Sequence, residues 1–202
     1  LLPLHRSRLP WVITLFLAVF PLANRAQAEV STAPNILFIF SDDHAIKSIS
    51  AYGGPLANVA PTPHIDQLAR QGAVMLNSFC GNSICGPSRA TILTGKHSHL
   101  NGFMRNTGRG LDQSQWTVSK ALKKGGYNTA VIGKWHLKTE PRGFDHWEIF
   151  PGQGNYYNPV FLQMDGSRKR FDGYATDLTT DKALAWLDNR DTSKPFFLMC
   201  QH

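Results

Sequence analysis

Cys85-Gly86-Pro87-Ser88-Arg89-Ala90-Thr91-Ile92-Leu93-Thr94-Gly95 is the stretch around which the rest of the chain is arranged. Pro87 suits a first helical turn, where its missing N–H costs nothing, and Gly95 suits the left-handed position that follows a last turn. The spacing predicts a short helix with a thiol at its entrance. Free backbone N–H groups and the positive end of the helix dipole converge there, which makes it a place for an anion. Arg89, one turn on from Cys85, falls on the same face and adds a permanent planar cation. Read alone, Cys85 is either a small buried hydrophobe or a nucleophile whose thiolate the helix entrance favours.

Upstream, Asn35-Ile36-Leu37-Phe38-Ile39-Phe40 is a continuous apolar run, which fits a strand buried on both faces in a parallel sheet. It delivers Ser41-Asp42-Asp43-His44 to its carboxyl end, where open α/β sheets build their sites. Carboxylates converging on one point would repel without a cation, and hard oxygens favour calcium or magnesium over zinc; a solvated turn is the plain alternative. Thr62 to Gly72 reads as a capped helix with Ile65, Leu68 and Ala69 on one face, followed by a strand from about Ala73 to Phe79. Strand, crossover helix and strand make an α/β unit. Gly81 and Gly86 have phosphate-loop spacing, but Pro87-Ser88 stands where that loop needs Lys and a hydroxyl residue, which excludes an NTPase. His97 and His99 fit no common zinc spacing with the nearby cysteines.

Downstream, a helix from Thr117 to Lys124, apolar at Val118, Ala121 and Leu122, stops at Gly125-Gly126. A strand through Tyr127 to Ile132 then leads to Gly133-Lys134-Trp135-His136. Alternation in an extended chain places Lys134 and His136 on one face with Trp135 opposite, although a strand end with a solvated Lys reads the same way. Phe144 to Tyr157 has aromatics and glycines without a period and reads as a long loop, its aromatics walling a pocket or packing into the core. Asp177 to Asp188 is an amphipathic helix with Leu178, Leu184 and Leu187 inward, and Pro195 to Cys200 is one more buried strand.

The chain has 202 residues, a formal charge of +7 and three cysteines, Cys80, Cys85 and Cys200. Its first segment carries His5, Arg6 and Arg8, then an apolar run from Trp11 to Ala23, then Ala26-Gln27-Ala28. That order reads as a secretory signal peptide, 1–28, cut after Ala28, with a linker over 29–34 and no stable membrane association after cleavage; the apolar run is short for a bilayer-spanning helix, and an uncleaved anchor is the alternative. Export to the periplasm or the exterior follows. An odd cysteine count in an oxidising compartment implies a thiol that is modified, free or paired elsewhere. Three basic residues, Arg6, Arg8 and Arg25, precede the cleavage point, so the remaining basic excess is mild. No basic run interleaved with aromatics points to nucleic acid.

The eleven residues from Cys85 to Gly95 resemble the first signature of the sulfatase family, and Gly-Tyr-x-Thr-x-x-x-Gly-Lys-Trp-His, from Gly126 to His136, resembles the second. With Asp42 and Asp43, three stretches match, and 35–202 looks like the N-terminal part of a sulfatase catalytic domain. The resemblance implies an α/β fold, the alkaline-phosphatase-like sandwich with a central mostly parallel sheet flanked by helices. It also implies that a maturation enzyme converts Cys85 to formylglycine, an aldehyde whose hydrate is the nucleophile. Calcium is the implied metal, with Asp42, Asp43 and converted Cys85 as ligands. Arg89 would hold the hydrate, Lys134 would bind it and the sulfate, and His136 would be its hydrogen-bond partner and base.

Family members carry further His, Lys, Asp and Asn groups in later sequence, so the stretch to His202 is expected to be inactive alone. Asn82-Ser83-Ile84, Asn101-Gly102-Phe103-Met104 and Pro151 to Tyr157 most resemble members that act on N-acetylglucosamine-6-sulfate in glycosaminoglycans or mucins. The expected activity is a sulfuric ester hydrolase acting on sulfated carbohydrate. Rival readings are a phosphomonoester, phosphodiester or phosphonate hydrolase of the same superfamily, and a secreted carbohydrate-binding pseudoenzyme.

Overall fold

The computed structural model describes residues 33–202, so the leader 1–28 and most of the linker 29–34 lie outside the described residues. In chain order the elements are β1 (Ile36–Phe40), α1 (Pro63–Gln71), α2 (Cys85–Thr94), α3 (Ser98–Asn101), α4 (Val118–Lys124), β2 (Asn128–Lys134), β3 (His146–Phe150), β4 (Val160–Gln163), β5 (Arg168–Arg170), α5 (Ala175–Asn189) and β6 (Phe196–Gln201). The strands form one sheet in the order β1-β6-β2-β3-β4-β5. Neighbours from β1 to β3 are parallel, and β4 and β5 add an antiparallel edge. This is the expected mostly parallel sheet flanked by helices.

Alternation along β2 and β6 sorts the core onto two faces. Val131, Phe197 and Met199 join Ala90 and Leu93 of α2, with Trp135, Phe144 and Trp147, on one side. Ala130, Ile132, Leu198 and Cys200 meet Ala183 of α5 on the other. Registers Ile39 to Cys200 and Ile132 to Cys200 align the carboxyl ends of β1, β6 and β2 side by side. Gly133 has a φ of +103°, and a Cβ there would sit 3.0 Å from Thr179 of α5 and inside the carbonyl of Gln201. Only glycine lets helix and neighbouring strand close on β2 at this point.

Several elements differ from expectation. β1 is not buried on both faces: Leu37 and Ile39 are 50% and 57% exposed. The reason is its edge position, since α5 packs over β6 and β2 and stops short of it. The strand expected from Ala73 to Phe79 is not formed, and Met75, Leu76 and Phe79 are exposed. A strand needs another strand beside it for its backbone groups, and among the described residues none pairs with this stretch. Helix α1 forms as expected, yet none of its residues is buried. Thr62 occupies the N-cap without capping through its side chain, because that hydroxyl accepts from the Ser50 N–H and donates to Asp66.

The span 144–157 is not one loop: His146–Phe150 is β3, and Phe144, Trp147, Ile149 and Phe150 are buried. Leu184 of α5 is exposed, because the inward stripe is Ala175, Thr179 and Ala183, small residues at helical spacing that bring α5 close to the sheet.

Glu148 of β3 ties the antiparallel edge to α5. It accepts from Gln163 of β4 at 2.7 Å and pairs with Lys182 of α5 at 2.6 Å. Burial pushes its carboxyl up, but hydrogen bonds from His146 and Lys182 and the Lys182 charge outweigh that and hold its pKa at about 2. A depressed folded-state pKa contributes stability that is complete above the unfolded value and is lost on acidification. Glu148→Gln is expected to lower stability by on the order of 2 kcal/mol at neutral pH. Urea midpoints of wild type and variant should converge as pH falls from 4.5 toward about 2, the ordinary and held values.

Candidate active site

The site is assembled on the guanidinium of Arg89, which is 2% exposed. Nη2 donates to the Asp42 carboxylate, just beyond β1, at 2.8 Å. Nη1 donates to the carbonyl of Lys134 at the end of β2 at 2.6 Å and also to Oε1 of Gln201 at the end of β6. Phe40 stacks under the cation with its ring centroid 5.0 Å from Cζ. One side chain of α2 thereby grips the carboxyl ends of three parallel strands. The fork geometry of arginine permits this, and the point charge of lysine does not.

Lys134 completes the cluster by placing Nζ 2.9 Å from the same Asp42 oxygen that Arg89 holds. Burial opposes the Asp42 charge, yet hydrogen bonds and charges from Lys134 and Arg89 outweigh it and hold its pKa below the ordinary carboxylate range. Two cations against one carboxylate leave a local positive surplus. That surplus suits an anionic ligand.

Cys85 opens α2, as the spacing predicts, and Gly95 closes it at φ +66°. The thiol is half-buried and in no disulfide. Cys80 and Cys200 are also free thiols, and burial pushes Cys200 up to about 11. His136 has φ +55°, so the extended alternation expected to align it with Lys134 ends at Lys134, the last residue of β2. The turn keeps Trp135 in the core and brings the His136 carbonyl to 3.0 Å from where a Cβ on Gly86 would stand. Burial, then the charges of Lys134 and Arg89, lower the His136 pKa, so its imidazole is neutral at neutral pH. Arg89 Nε and His136 Nδ1 are both buried and have no hydrogen-bond partner among the described residues.

Beside this cluster a cavity of about 860 Å³ is lined by Asp42, Asp43, His44, Lys134 and His202, together with Gln153 to Tyr156, Tyr174 and Thr176. Cys85, Arg89 and His136 are not in its wall. The tail of the span 144–157 walls a pocket while its head packs in the core, so each alternative holds for one part. Asp43 is exposed with φ +55° and forms no ion pair among the described residues. Asp42 and Asp43 suit a hard cation in kind, yet two carboxylates fall short of the about six to eight oxygens calcium takes. No group of three His, Cys, Asp or Glu placed to hold a metal occurs among the described residues.

Asp42, Arg89 and Lys134 are thus joined directly, with Cys85 and His136 at their flank and Asp43 apart. Gln201 and Asn106 were not anticipated. Neither carried a signal in the sequence: Gln201 follows the apolar run 195–200 as a lone polar residue whose burial only the fold reveals, and Asn106 lies in a loop without a motif.

The mostly parallel sheet flanked by helices is that of the alkaline-phosphatase-like fold, which solved sulfatase structures share. The sulfatase family model matches residues 34–201, and the chain belongs to the sulfatase family. It is 47% identical over 195 residues to N-acetylglucosamine-6-O-sulfatase of Bacteroides thetaiotaomicron, a match covering 94% of this chain and 34% of that protein. It is 29% identical to human N-acetylgalactosamine-6-sulfatase over 82% of this chain and 38% of that protein. A solved complex of a protein with its substrate D-glucosamine-2-N,6-O-disulfate superposes with a TM-score of 0.79 at 48% identity, over 83% of this chain and 34% of that one. The chain spans about a third of the length of these relatives.

Asp42→Asn is expected to destabilise the protein by about 3 kcal/mol, because it strips the compensating charge from a buried guanidinium. Asp43→Asn, on an exposed and unpaired carboxylate, should change stability by no more than about 0.5 kcal/mol. Denaturant unfolding of the two variants side by side checks the contrast.

Proposed function

We propose that this chain forms the N-terminal part of an exported sulfatase that hydrolyses 6-O-sulfate esters of glucosamine-type sugars in glycosaminoglycans or mucins. The observation that carries the reading is the convergence of Asp42, Arg89 and Lys134 at three strand ends beside Cys85. Similarity to an N-acetylglucosamine-6-O-sulfatase over 94% of the chain supports the sugar. Export rests on the leader 1–28, and a formylglycine-generating or sulfatase-maturating enzyme is the implied partner.

A formylglycine at position 85 would supply, as its hydrate, one hydroxyl to attack sulfur and a second through which sulfate is released. The unpartnered Nε of Arg89 and Nδ1 of His136 are buried polar atoms that fit such a group at the helix entrance. Calcium would supply positive charge, held by Asp42 and Asp43 together with groups beyond this stretch.

The chain's own residues do the rest. Lys134, in the cavity wall, binds a sulfate oxygen while it neutralises Asp42. Arg89, withdrawn from the cavity, holds Asp42 and fixes Lys134 through its backbone, so the ammonium is aimed before substrate arrives. His136 is kept neutral and can take up a proton on its imidazole. Asn155, Tyr156 and Tyr174 line the same cavity, where a sugar ring would stack and hydrogen-bond.

Two measurements on the full-length protein produced with a maturation enzyme test this. Fragmentation mass spectrometry of the tryptic peptide from Gln71 to Arg89, after thiol alkylation, should show Cys80 alkylated and Cys85 as an aldehyde. The same preparation should desulfate N-acetylglucosamine-6-sulfate with kcat/KM at least about tenfold above its activity on N-acetylgalactosamine-6-sulfate or an aryl phosphate. Two intact thiols, or preference for the phosphate, would refute the reading.

A further inference from the structure

Asn106 lies beyond α3 and belongs to neither sequence signature, yet it grips the entrance of α2 at two points. Its Nδ2 donates to Cys85 Sγ at 3.0 Å, and its Oδ1 accepts from the Gly86 N–H at 3.1 Å. The N-cap of α2 is Ile84, whose side chain cannot cap, so Asn106 supplies from twenty residues away an acceptor the local sequence lacks. A Cβ at position 86 would stand 2.6 Å from Asn106 Oδ1, 2.7 Å from Phe103 Cε1 and 3.0 Å from the His136 carbonyl. Glycine is needed at 86 for the carboxamide to come this close.

We propose that Asn106 is the positioning residue for the nucleophile-bearing side chain at 85. Its oxygen fixes the backbone of the first turn, and its N–H group fixes the direction in which the heteroatom on Cβ of residue 85 points. This rests on the reading that residue 85 carries the nucleophile. The two halves of the carboxamide can be separated chemically. Aspartate, the same shape, still accepts the Gly86 N–H and suits a helix N-terminus, but it cannot donate to residue 85. Alanine does neither.

The test uses the full-length protein with Asn106→Asp and Asn106→Ala, its kinetics normalised to the converted fraction at position 85 read by mass spectrometry. Asn106→Asp should melt within about 2 °C of wild type, since the cap survives. Its kcat on the 6-sulfated sugar should fall about 10- to 100-fold, with KM changed less than about threefold. Asn106→Ala should lose both kcat and several degrees of melting temperature. Wild-type kcat in Asn106→Asp would show that the residue only caps the helix and would overturn the proposal.

A second readout does not depend on sulfatase activity. In protein made without maturation, Asn106→Asp should slow alkylation of Cys85 at neutral pH by about fivefold or more relative to Cys80, because a donor to sulfur has been replaced by a carboxylate. Equal rates in the two proteins would overturn the contact itself. Slowed alkylation here, together with no sulfate esterase activity in the matured wild-type protein, would uphold the clamp while refuting the function proposed above.

Discussion

A buried guanidinium must spend its donors on partners inside the protein, and Arg89 has only strand ends to spend them on. Asp42, the Lys134 carbonyl and Gln201 belong to the ends of β1, β2 and β6, strands that are distant in sequence and adjacent in the sheet. Satisfying one cation therefore fixes α2 over the carboxyl edge of the sheet. Once α2 is fixed, its entrance and the residue that opens it are fixed too. Substitutions that touch this network alter fold and site together, because the same contacts hold both.

The same network sets the electrostatics. Asp42 is shared between two cations, so its charge is spent on holding them, and the surplus positive charge is presented by Lys134 to the cavity. Arg89 contributes from behind, with Phe40 beneath it and no exposure to the cavity. Charge aimed in advance at the place where an anion will sit needs no rearrangement when the ligand arrives. Gly133 and Gly86 serve this arrangement by absence: one lets α5 and β6 close on β2, and the other leaves room at the helix entrance for Asn106, Phe103 and the His136 carbonyl.

Legibility in the sequence followed the range of the interactions involved. The runs that became β1, β2 and β6, and the helices ended by Gly72, Gly95 and Gly125, rest on local sterics and on continuous apolar character, so they were readable. β3 was hidden because Trp147, Ile149 and Phe150 sit among glycines and other aromatics with no clean period. Ala73 to Phe79 read as a strand on composition, but a strand exists only with a neighbour, and composition cannot say whether one is there. Leu184 was assigned inward by hydrophobicity, whereas the close approach of α5 is set by the small residues Ala175, Thr179 and Ala183.

At the site the division is sharper. By itself the sequence determined the helix with Cys85 at its mouth, the carboxylates after β1, the Lys and His after β2, and membership of the sulfatase family, because each is a short motif whose spacing is its meaning. Only the tertiary structure decided that Arg89 is spent on three strand ends, that His136 leaves the extended path through a left-handed turn, and that Gln201 and Asn106 belong to the site. These depend on contacts between segments up to 112 residues apart, made when a sheet brings its strand ends level and a buried charge demands partners. No local pattern carries that information, since the partner of a buried donor is chosen by packing.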